Sequence, residues 1–403
     1  MATGRRGLEA LLGSSVAIFW PGAFIFGFPG VMAGYWSQSF GVGKGAIGAV
    51  MFFVLAAVGI FMFFVGKWQD KLGIRKLMTV GVLLCGANVF LLLLAKNIYW
   101  IYLWAFINGT ASCFVYVPGL TTVQRWFPEK RGLVSGIVNL MFGLSAAIMA
   151  PLFGMIFQSF GYIGIVEILG PICLLTGLVA AQFTEAPLGA LSGNTTSAPK
   201  TLGAPRQFKP ITVGQAVRIR SFRSLWLVWA LQGAAGISMI TLSTSLGISK
   251  GYSLESAVII LTAFNLASGL SRLISGYLSD RIGRNFTMSF FFFAAAMAYF
   301  MFNWVDSLPI LCLLSIIIGF AFGTLFAVSA PLVTDCFGIN NFGAIFGLVF
   351  TAYGFLAGPL GAALSGYALD YTSGNYSLVF GYLGCFCLVS SGLIWSVRPI
   401  DSK

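Results

Sequence analysis

Gly66-Lys67-Trp68-Gln69-Asp70-Lys71-Leu72-Gly73-Ile74-Arg75-Lys76 and Gly276-Tyr277-Leu278-Ser279-Asp280-Arg281-Ile282-Gly283-Arg284 are two versions of one loop. Both follow G-x-x-x-D-[RK]-x-G-x-[RK] or its form one residue shorter, and their aspartates stand 210 residues apart. An aspartate in this setting can accept from backbone amides at a nearby helix start and pair with a loop arginine. The partner expected for Asp70 is Arg75, and for Asp280 either Arg281 or Arg284. Gly73 and Gly283 permit the sharp turn between flanking helices. Asp70, Arg75, Asp280, Arg281 and Arg284 are therefore candidate gating residues, a latch written twice. A second pair of loops, Arg125-Trp126-Phe127-Pro128-Glu129-Lys130-Arg131-Gly132 and Asp335-Cys336-Phe337-Gly338-Ile339-Asn340-Asn341-Phe342-Gly343, keeps the interval, with Phe127 and Phe337 again 210 apart. One interval kept at two places predicts a duplicated unit.

What lies between the loops decides the class. Apolar residues make up 58% of the 403, charged residues 8%, and 39 phenylalanines and 50 glycines face 34 charges. Such a chain cannot clothe a water-facing surface, which excludes soluble, disordered and fibrous classes. The absence of histidine and the scarcity of acids, 11 in all, remove the usual general bases and metal ligands, so no enzyme, cofactor or metal site is expected. The seven cysteines form no CxxC pair and read as small buried hydrophobes.

A bilayer core of about 30 Å takes roughly 20 apolar residues per helix. Polar punctuation then yields spans near 8–35, 45–66, 77–95, 98–122, 132–157, 162–183, 223–249, 255–277, 285–304, 308–333, 343–368 and 375–397. The expected fold is an all-α membrane protein: twelve transmembrane helices in two pseudo-symmetric six-helix bundles, 1–183 and 223–403, joined by a polar linker, 184–222. With both termini cytoplasmic, 19 of 23 basic residues fall on the inner side, a strong positive-inside bias. The net charge of +12 is thereby an orientation device facing anionic lipid, with no nucleic-acid partner implied.

The duplicated loop resembles the signature of the major facilitator superfamily. Within it the run 125–132 looks like the oxalate/formate antiporter and monocarboxylate transporter branch. The resemblance implies a multi-pass monomer in the cell inner membrane that carries a small organic anion.

Arg272 and Glu167 are the two ionisable residues well inside predicted spans, and a charge there costs at least about 2.5–3.5 kcal/mol. Asn265, Ser268 and Arg272 fall at i, i+3 and i+7, one helix face, expected to front a central cavity. Snorkelling of Arg272 towards the inner surface is the competing reading. In the family resembled, an arginine at this place binds the substrate carboxylate. A guanidinium suits that role because it stays charged and its fork matches a carboxylate. The family's aspartate four residues earlier is Ser268 here, its span-1 lysine is missing, and the exchanger's second cation in span 11 is replaced by Phe346-Gly347-Leu348-Val349-Phe350. Tyr116, Phe322 and Phe326 match cavity positions of the family, and Phe28 and Tyr353 are further candidates. The expected function is secondary transport of lactate- or pyruvate-like monocarboxylates by alternating access, with proton symport favoured over anion exchange and over a passive channel.

Overall fold

In lipid a backbone must satisfy its own amides, so long apolar runs become helices. The computed structural model describes residues 2–187 and 212–399 and contains no strand among them. Eleven continuous helices among the described residues are long and apolar enough to cross a membrane, and one of them, Arg131–Gln182, has 52 residues. That helix turns at Gly161 (φ 69°, ψ −168°), a backbone conformation open to glycine, and so makes two crossings. The twelve spans are α1 (Arg5–Phe40), α2 (Ala46–Leu72), α3 (Ile74–Leu94), α4 (Ile98–Trp126), α5 (131–160), α6 (162–182), α7 (Arg220–Ser249), α8 (Ser256–Ile282), α9 (Arg284–Trp304), α10 (Leu308–Phe337), α11 (Phe342–Leu369) and α12 (Tyr376–Ile394). Most of the expected flexible linker, 188–211, lies outside the described residues. Its end forms a short helix, Val213–Arg218, opened by a capping box between Thr212 and Gln215.

Helices α1–α6 pack chiefly on one another, as do α7–α12, and the two sets meet where α2 crosses α11 and α5 crosses α8. Glycine makes both crossings close. A Cβ on Gly66 would run into the Gly343 carbonyl, and one on Gly276 into that of Gly132. One turn further in, Gly347 lies on the Met62 carbonyl and Gly136 on the Arg272 carbonyl. The two crossings are copies of each other under the sequence repeat. Between them, Thr334 Oγ1 donates to Gln124 Oε1 at 2.6 Å, and these two residues are themselves 210 apart. A residue that touches its own repeat counterpart lies on the pseudo-twofold axis. The halves are thus closed against each other on the side that carries the linker and the duplicated loops.

Candidate functional site: a cleft on the pseudo-twofold axis

Beyond the closed contact the two halves enclose a cleft of about 430 Å³, part of it open to the surroundings. Nine of its twelve lining side chains carry no polar group, and the rest are Ser112, Tyr116 and Tyr353. The Ser112 hydroxyl is spent on the Gly109 carbonyl at 2.7 Å. Trp229 stands behind the wall, its ring 4.3 Å from that of Phe350 and 5.1 Å from that of Phe326.

Arg272 comes from α8, eight residues before Asp280, which is about 12 Å along a helix and near mid-depth in the span. Its side chain turns inward rather than snorkelling. The residue is 5% exposed, Nη1 donates to the Asn139 carbonyl at 2.9 Å, and Cζ lies 5.0 Å from the centroid of the Phe326 ring. Gly143 on α5 leaves the room, since a Cβ there would press on the guanidinium. Nε has no partner. None of the ion pairs found among the described residues includes Arg272.

Asn139 of α5 ties this cation to Tyr116. The Tyr116 hydroxyl donates to Asn139 Oδ1 at 2.7 Å, and Asn139 Nδ2 donates to the Ser135 carbonyl at 2.8 Å. Sequence reasoning passed over Asn139. Its signal was a buried-type amide between Val138 and Leu140 in an apolar span, the same signal that marked Arg272 but without a charge.

The repeat also relates the walls of the cleft. The interval is 210 up to the second loop pair and 211 after it, because the loop of the second half is one residue longer. Arg272 is then the counterpart of Met62, Phe326 of Tyr116, Phe350 of Asn139 and Tyr353 of Phe142. Backbone packing supports the pairing, since the carbonyls of Met62 and Arg272 meet the equivalent glycines Gly347 and Gly136. Arg272, Asn139 and Tyr116 form one polar group, and the counterpart of each is apolar.

Several expected site residues lie elsewhere. Phe28 is fully buried inside the first half, against Trp36, Trp104 and Phe153, and does not reach the cleft. The π-helical turn Ala23–Gly27 lies just before it and itself carries Ile25 and Phe26, which line the cleft instead, while the wider turn shifts the phase of Phe28 after it. Phe322 packs between α7, where Gly236 makes room, and Phe264 on α8, leaving Phe326 as the α10 ring of the cleft. Asn265 shares a helix face with Arg272 but sits about 10 Å further along it, where it is exposed and outside the polar group. Ser268 is buried under α10, where its carbonyl meets Gly323 and accepts from the Ser271 hydroxyl at 3.1 Å.

The two loops differ as well. Asp280 accepts from the amides of Gly132 (3.0 Å) and Leu133 (2.8 Å) at the start of α5, across the boundary between halves. It pairs with Arg284 at 2.5 Å, and Arg284 also reaches Asp335 at 3.1 Å. Asp335 in turn holds Arg131 of the first half at 3.1 Å. Arg281 takes no part and stacks on Tyr277, 4.7 Å from the ring centroid. Asp70 pairs with Arg125 at 3.5 Å within its own half and not with Arg75. Arg75 is drawn away to the Gln182 carbonyl at 2.6 Å and to Glu185 at 3.6 Å. The approach of Asp70 to the start of α11 is filled by Gln69, whose amide stands against Gly343.

A family model described as Major Facilitator Superfamily matches residues 15–302 and 235–403. The chain belongs to that superfamily. Among curated relatives it is 27% identical over 310 residues to the oxalate:formate antiporter of Oxalobacter formigenes, covering 74% of this chain and 71% of that protein. It is 24% identical over 329 residues to monocarboxylate transporter 13 of Rattus norvegicus, covering 81% and 74%. Among solved structures the E. coli fucose:proton symporter FucP superposes with a TM-score of 0.73 at 15% identity, over 97% of this chain and 98% of that one. The fold is that of the superfamily, and the protein is a multi-pass membrane transporter.

Proposed function

We propose that this protein is a secondary active transporter of monovalent organic carboxylates, with Arg272 as the carboxylate anchor. The observation that carries the reading is a buried guanidinium directly behind the cleft lining, against Phe326, with no acidic partner among the described residues and an unbonded Nε. A charge in such a place is costly until an anion meets it, and a carboxylate can take two parallel N–H bonds from the fork. Similarity to an oxalate:formate antiporter and to a monocarboxylate transporter supports the substrate class. The chain carries no G-x-x-x-x-G-K-[ST] loop for nucleotide, so an ion gradient or exchange supplies the driving force.

On this reading the segments 1–183 and 223–403 rock as two bundles about the axis through Gln124 and Thr334. The positive-inside bias puts both termini and the linker in the cytoplasm of a cell whose inner membrane holds the monomer. The linker-side closure then corresponds to an outward-facing state. Symport with protons is favoured over exchange. The proton travels on the substrate carboxyl or through another group, because Ser268 replaces the acid that could have carried it.

The test is counterflow in proteoliposomes. A carboxylate loaded inside should accelerate uptake of labelled carboxylate from outside, as a carrier does and a channel does not. Arg272→Ala should lower that uptake at least about 100-fold, in line with loss of a charge-assisted bidentate contact. Full counterflow in Arg272→Ala would remove the anchor, and uptake without counterflow would favour a channel.

A further inference from the structure

We propose that the substrate is an amphipathic monocarboxylate with a bulky apolar body, an aryl or branched alkyl group, and not a two- to four-carbon acid of the lactate or oxalate kind. This rests on the carboxylate-carrier reading above and adds the nature of the rest of the molecule. The argument comes from the broken symmetry of the cleft. Its two walls descend from one repeated unit, so a symmetric substrate would call for like groups on both sides of the axis. Each polar member has an apolar counterpart instead: Arg272 faces Met62 in the repeat, Asn139 faces Phe350, and Tyr116 faces Phe326.

A substrate at the cleft therefore meets one polar group and, directly beside it, the apolar side chains of Phe326, Phe350 and Met62, with the Phe326 ring 5.0 Å from Arg272 Cζ and the Phe350 ring 5.7 Å from that of Tyr116. The polar capacity for a hydroxy or keto acid comes down to one lining hydroxyl, that of Tyr353. The Ser112 and Tyr116 hydroxyls donate to Gly109 and Asn139, Asn265 is outside the group, and Ser268 lies under α10. Dispersion and apolar burial remain, and they act on hydrocarbon. Aromatic rings offer both face and edge, since Phe350 stands 6.0 Å from Phe326 at 69° and 5.7 Å from Tyr353 at 73°. A second carboxylate would be buried beside Met62 and Phe350 without a partner.

The experiment uses the full chain in proteoliposomes and compares lactate, oxalate, 4-methylpentanoate and phenylacetate as competitors of labelled phenylacetate counterflow. Phenylacetate and 4-methylpentanoate should compete at least about tenfold better than lactate, and oxalate least of all, as expected from several buried methylene equivalents. Phe350→Ala should weaken phenylacetate about tenfold and leave lactate within about twofold. Met62→Lys places a second cation at the counterpart of Arg272, so oxalate should gain at least about tenfold on phenylacetate. Lactate or oxalate competing as well as phenylacetate in the wild-type protein, with transport still dependent on Arg272, overturns this inference and leaves the carrier reading standing. Absence of counterflow with all four acids overturns both.

Discussion

Arg272 decides the chemistry at the scale of a residue. Its guanidinium is held from below by the Asn139 carbonyl and from one side by the Phe326 ring, which fixes its plane before any anion arrives. Preorganisation of this kind lowers the ordering cost of binding. A lysine at the same place would keep the charge but lose the fork and the stacking surface. Arg272→Lys is therefore expected to retain folding and membrane insertion while losing at least about tenfold in carboxylate affinity, read as competition against labelled substrate. Wild-type affinity in Arg272→Lys would mean that the site needs a point charge only. The residue itself was legible in the sequence because a charge in an apolar span stands out. Phe28 and Phe322 were not, since among 39 phenylalanines only packing separates a core ring from a cavity ring.

At the scale of elements the duplicated loop is one sequence with two outcomes. Asp280 caps the first turn of α5 with two charge-assisted bonds, and hydrogen bonds to charged groups are worth about 1.5–3 kcal/mol each. Asp70 holds Arg125 inside its own half and so adds little to the cohesion between halves. Asp280→Asn should shift the protein away from linker-side closure by about tenfold or more, while Asp70→Asn should shift it by less than about threefold. Accessibility of single cysteines placed in the cleft, labelled from each side, reads both shifts. Equal effects would mean that the two loops work as equals despite their different contacts. The aspartate spacing announced a latch, but the partner depended on what fills the start of the facing helix: Gln69 at α11, and at α5 its shorter repeat counterpart Ser279.

For the whole molecule, two copies of a six-helix unit close on one side about an axis marked by Gln124 and Thr334. Two packings of the same halves, closed on one side or the other, are the bistable element that alternating access requires. The coupling scheme acts at this scale too. With no acid beside Arg272, symport would carry its proton on the substrate carboxyl or through another group, and by either route an inward proton gradient should raise uptake of a weak carboxylic acid severalfold in proteoliposomes. Uptake that ignores an imposed pH gradient, yet responds to carboxylate on the opposite side, would decide for exchange.

The sequence by itself determined the helical membrane class, the number of crossings and the repeat, because those follow from apolar run length and from spacing, which are properties of the chain in order. It also marked Arg272, because the cost of a charge in lipid does not depend on which neighbour compensates it. Only the tertiary structure decided that Asn139 joins Arg272 to Tyr116, that Phe28 turns into a bundle core, and that Asp70 and Asp280 choose different partners. Those outcomes rest on helix phase after a π turn and on which glycines let two backbones touch. Both are set by contacts between residues far apart in the chain.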